Sequence, residues 1–77
     1  MYMKVLDLHG VRHNIAAQLL EETVNRMWSS NEELQIITGH SEEMKKIVVD
    51  ILMEYKLEYK VGDYSGLNTG YIKTYLD

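Results

Sequence analysis

The chain has no cysteine and no proline in its 77 residues. Without cysteine it has neither disulfides nor thiolate metal sites. A chain of this size buries only about 60% of the surface its unfolded form exposes, so packing alone must hold it. It has no basic excess either. Eight Lys and Arg against twelve Asp and Glu leave a formal net charge of −4, which excludes holding nucleic acid by bulk electrostatics and confines any nucleic-acid role to a local site. No apolar run approaches the roughly 18 residues of a membrane span, and Met1-Tyr2-Met3-Lys4 lacks a basic region followed by an apolar one. The expectation is a cytoplasmic protein with no membrane partner. What is present, 45% hydrophobic and 26% charged residues, fits one small globular domain over residues 1–77 and lies far from the composition of disorder.

Met3 to Leu8 reads as a short half-buried strand that stops at His9-Gly10. From Ile15 the apolar residues come in pairs every four positions, Ile15/Ala16, Leu19/Leu20, Val24 beside Thr23, Met27/Trp28, drawing one stripe along a helix that ends at Ser29-Ser30-Asn31. This stripe, Trp28 and the methionines are expected in the core. Leu34 to Thr38 has the β-branched content of a buried strand and is closed by Gly39. Ser41-Glu42-Glu43 looks like a helix start, with Ser41 as cap and two carboxylates in the first turn. Its stripe is Met44, Ile47/Val48, Ile51/Leu52, Tyr55. Leu57 to Val61 and Tyr71 to Leu76 alternate strictly, joined by a glycine-rich loop over 62–70. The order strand, helix, strand, helix, strand, strand (βαβαββ) predicts an α+β two-layer sandwich, with two helices on one face of a four-stranded mixed sheet.

If the first two strands are parallel, their carboxyl ends share one edge of the sheet, where ligands of open α/β sheets bind. That edge carries Asp7-Leu8-His9-Gly10 and Thr38-Gly39-His40-Ser41. Strand periodicity turns Asp7 and His9 to the side opposite Leu6 and Leu8. Helix amino termini offer free N–H groups and positive dipole ends, and Gly39 lets a ligand approach the backbone, so a phosphate is a reasonable guest. Two histidines can act as general base and general acid in phosphodiester cleavage. Asp7 can orient His9 or share a magnesium ion with substrate phosphates, and Arg12 can pair with a phosphate.

Leu6-Asp7-Leu8-His9-Gly10, followed about thirty residues on by Ile36-Ile37-Thr38-Gly39-His40-Ser41, resembles the Smr (small MutS-related) domain over nearly the whole chain. The resemblance implies a fold like the carboxyl-terminal domain of translation initiation factor three and activity as a DNA-nicking or RNA-cleaving endonuclease. It carries the catalytic roles onto Asp7 and His9, whose Leu-Asp-x-His motif matches fully. The second motif matches at Thr38 and Gly39; His40 stands where Lys or Arg is common, and Ser41 replaces a closing glycine. Nucleic acid, DNA or RNA and weakly held, is the expected partner, with Gly10, Arg12, His13, Thr38, Gly39, His40 and Ser41 as the phosphate-binding set. A catalytically inactive binding or adaptor module of the same fold, working within or beside a larger protein, is the alternative.

Each of these residues also has a purely architectural reading. His9-Gly10 is turn chemistry, Asp7 a cap for its turn, and Gly39 a backbone need. Ser41 is a helix cap and His40 a solvated loop residue. Tyr59, Tyr64, Tyr71 and Tyr75 suggest either a stacking platform for bases or good β residues. The pairs Glu21-Glu22, Glu32-Glu33 and Glu42-Glu43 are expected on the solvated surface.

Overall fold

A computed structural model describes residues 3–62 and 70–76. Its elements are β1 (Met3–Asp7), α1 (His13–Met27), β2 (Glu32–Ile37), α2 (Glu42–Glu54), β3 (Tyr59–Val61) and β4 (Tyr71–Leu76). The glycine-rich loop falls mostly on residues 63–69, outside the described residues.

The strands form one mixed sheet in the order β1-β2-β4-β3. β1 runs parallel to β2, with Leu6 opposite Ile36. β4 is antiparallel to both neighbours, with Ile36 opposite Ile72 and Lys60 opposite Lys73. Because side chains alternate, one face of the sheet gathers Leu6, Leu34, Ile36, Ile72, Thr74 and Leu76. Leu8, just past β1, joins them. These apolar residues form one cluster with Ala16, Leu20, Val24 and Met27 of α1 and Met44, Val48, Ile51 and Leu52 of α2, so both helices lie on that face. The molecule is an α+β fold with two helices and a four-stranded mixed sheet. Among the described residues, no helix is long and apolar enough to cross a membrane.

The second helix starts where its sequence says it should. Ser41 Oγ accepts the Met44 N–H at 3.1 Å, and Glu42 and Glu43 fill the first turn. Its C-terminal turn closes at Lys56, in the left-handed region at φ 59°, and Leu57 N–H reaches back to the Leu52 carbonyl.

The expected core needs correction at several places. Trp28 is 49% exposed, and Met3, Met53, Ile15 and Leu19 are exposed as well. In a two-layer fold a helix buries only the strip facing the sheet and its neighbouring helix. Along the α1 stripe Ala16, Leu20, Val24 and Met27 take that strip, and Ile15, Leu19 and Trp28 are turned outward. Trp28 lies one residue past the helix and meets Tyr55 edge-on, with ring centroids 6.0 Å apart. Strand bounds shift too: β2 starts two residues before Leu34, and β3 is shorter than the alternating run, beginning at Tyr59.

Candidate functional site

Parallel pairing of β1 and β2 brings the two strand-to-helix turns side by side. Leu8 to Val11 is a turn closed by Val11 N–H to the Leu8 carbonyl at 3.1 Å. Gly10 occupies its third position at φ +77°, the left-handed conformation a type II turn requires there. Asp7 Oδ1 accepts the His9 backbone N–H at 2.9 Å. The carboxylate thus fixes the turn by its main chain, the arrangement by which Asp favours turns, rather than holding the imidazole. Both Asp7 and His9 are exposed, while Leu8 is buried, as strand alternation requires.

The second turn is fastened from a third strand. The Gly70 carbonyl, just before β4, accepts the N–H groups of Thr38 at 2.7 Å and Gly39 at 3.0 Å. The Thr38 hydroxyl lies 3.2 Å from the same oxygen and 3.0 Å from the Gly39 carbonyl. Thr38 is buried. The backbone donors of Thr38 and Gly39 are therefore engaged inside the fold. Gly39 has two reasons to be glycine: its φ is +68°, and a β-carbon there would come within 2.9 Å of His9 Cδ2. The imidazole of the first motif rests on the backbone of the second.

Between the turns lies an open groove of about 550 Å³, lined by His9, Gly10, Val11, His13, Thr38, His40, Ser41 and Met44. All three histidines of the chain reach it, including His13, which topology alone does not assign to the edge. Asp7, Arg12 and Gly39 border the groove without lining it. The helix starts around it differ. Arg12 is the N-cap of α1, makes no side-chain cap bond, and is followed by no acidic residue in the first turn. The N-terminus of α2 carries its Ser41 cap and both carboxylates. His13 Nδ1 lies 3.5 Å from Glu43 Oε2, linking the two helix starts across the groove.

The groove lining by itself supplies no magnesium cage, so the ion would have to be shared between Asp7 and substrate phosphates. That ion takes oxygen ligands in octahedral geometry, whereas the groove offers imidazole nitrogens. Among the described residues no group of three or more His, Cys, Asp or Glu could hold a metal ion. What the groove can offer an anion is three imidazoles, side chains of the kind that serve as general acids and bases.

Sequence reasoning passed over Gly70, Val11 and Met44. Glu43, a charge beside the second motif that repels phosphate, also contacts His13 across the groove. Of the tyrosines considered for stacking, Tyr64 lies outside the described residues. Tyr71 is buried with its ring over Gly62, and Tyr59 projects to the helix side of the sheet. Tyr75 alone presents an exposed ring on the open face.

No family model matches the chain, and no curated protein or solved structure matches it.

Proposed function

We propose that this chain is an Smr-type domain, with a fold like the carboxyl-terminal domain of translation initiation factor three, that binds the phosphate backbone of a nucleic acid in the groove between its first two strand ends and cleaves it. The supporting observation is that all three histidines line one groove beside the uncapped, basic start of α1.

In this reading one phosphate sits at the free N–H groups of the first turn of α1, with Arg12 as a second donor. His9 takes the proton from the attacking oxygen, a ribose 2′-hydroxyl or a water. That oxygen bonds to phosphorus, the bond to the leaving oxygen breaks, and His13 or His40 supplies the proton the leaving oxygen needs. Asp7 acts as a positioning residue that sets the His9 backbone. Thr38 and Gly39 shape the wall on which the His9 ring rests. With a net charge of −4 and one phosphate held at the groove, affinity is weak and its salt dependence shallow.

The test is incubation of the purified protein with supercoiled plasmid and with single-stranded RNA. Cleavage is expected, and His9→Ala should abolish it; equal activity in the variant would sink the catalytic assignment. A non-catalytic binding module is favoured by one observation, that the Asp7 carboxylate is engaged by backbone. Chemical-shift changes over 7–14 and 38–44 on adding oligonucleotide, with no cleavage of either substrate, would establish that reading instead.

A further inference from the structure

The open face of the sheet, away from both helices, has its own pattern. Register and alternation set its side chains in rows across the strands. One row is Val5, Gln35, Lys73 and Lys60. A second holds Met3, Glu33 and Tyr75, and a third Asp7, Ile37 and Tyr71, ending at the turns of the groove. Lys60 and Lys73 are direct cross-strand partners, a like-charge pairing that costs stability. Among the described residues neither makes an ion pair. Beside them Tyr75 is 53% exposed. Glu33, its cross-strand neighbour, raises the phenol pKa first by hydrogen bonding and then by its charge. Glu58, Tyr59, Lys60, Lys73 and Tyr75 enclose a depression of about 230 Å³, below the roughly 300–1,000 Å³ of pockets that engulf a whole small molecule.

We propose that this depression is a single-strand contact site, in which one base stacks on Tyr75, Glu58 accepts from the exocyclic amino group of that base, and Lys60 and Lys73 pair with the adjoining phosphates. Two unpaired cations beside an exposed aromatic ring match the alternation of charge and π-face along a single strand. A carboxylate at the same depression selects bases that present amino donors, guanine and cytosine over uracil. The third row leads from this site to the turns carrying His9 and Gly39. The inference deepens the nucleic-acid reading and rests on it.

The test uses fluorescence anisotropy and chemical-shift mapping with short single-stranded RNA and DNA at low salt. The double variant Lys60→Gln/Lys73→Gln should flatten the log–log salt dependence by about 1.4, at about 0.7 per phosphate contact on a single strand. Tyr75→Leu should weaken binding at least about fivefold, and Tyr75→Phe should restore it. Oligo-C should bind more tightly than oligo-U, and Glu58→Gln should erase that difference. Wild-type affinity and salt slope in the lysine double variant would overturn the proposal. So would shifts confined to the groove, an outcome that leaves the groove reading standing. Shifts confined to 58–60 and 73–75 would uphold the sheet-face site while removing the groove as the phosphate site. No binding at low salt would overturn both.

Discussion

The turns that follow β1 and β2 each carry one glycine at positive φ and each abut a helix start, yet they leave those helices in different electrical states. After β2, Ser41 satisfies a first-turn N–H and Glu42 and Glu43 oppose the positive pole; the preceding donors of Thr38 and Gly39 are already taken by Gly70. After β1, Arg12 offers no cap and His13 adds a second basic side chain. Free backbone donors and a positive dipole end attract an anion only where nothing has answered them. The second turn thus has its Thr38 and Gly39 donors engaged within the fold, and the first has a helix start without a side-chain cap. In the proposed reading the anion therefore sits on the α1 side of the groove, and the α2 side supplies its wall.

The largest effect should come from the glycines, where the two turns can be set directly against each other. Gly10→Ala places a β-carbon in open space, so only the left-handed backbone is penalised, at roughly 1–2 kcal/mol. Gly39→Ala carries the same backbone penalty and also drives a methyl into the His9 ring. It should be the less stable in urea titration, and it alone should displace the His9 imidazole resonances. Equal effects on His9 from both variants would remove the claim that the second motif positions the first.

Caps come next. Ser41→Ala should cost about 1 kcal/mol by loss of the bond to Met44, read as a lower midpoint of thermal unfolding. Arg12→Ser runs the comparison in reverse. A cap added to α1 should stabilise by a few tenths to about 1 kcal/mol while weakening oligonucleotide binding. If Arg12→Ser strengthened binding, the open helix start would not be the anion site.

The smallest effect is electrostatic. Glu43→Gln removes the carboxylate facing His13. It should raise affinity for a short oligonucleotide about two- to fivefold at low salt and leave it unchanged at high salt, since exposed charges are screened within a Debye length. Anisotropy titrations at the two salt concentrations check this. An increase that persisted at high salt would mean that Glu43 acts by shape instead.

How much of this could be read from the sequence depends on the range of the interaction involved. The apolar period of four in α1 and α2 and the alternation in β4 are local, and they marked helices and strands correctly. The Ser41 cap is local too, spanning three residues. Exposure of Ile15, Leu19 and Trp28 was not legible, because a stripe shows which side of a helix is apolar but not how wide a strip the second layer covers. At the site, the approach of His9 to His40 follows from parallel strands, whereas the Gly70 carbonyl beneath Thr38 and Gly39 depends on β4 lying next to β2. Sheet order is a long-range outcome with no periodic signature. Nor does the Leu-Asp-x-His pattern say whether its carboxylate faces an imidazole or a main-chain amide; here the turn decided it.

The Gly70 fastening also has a consequence in time. Thr38 and Gly70 are 32 residues apart, and β4 sits between β2 and β3, so the second wall of the groove cannot be locked until the last strand has inserted. Long loop closures of this kind delay folding. On the ribosome, a nascent chain holding β1, α1, β2 and α2 has every histidine of the groove and no fixed groove. The groove's second wall is complete only once β4 has threaded between β2 and β3.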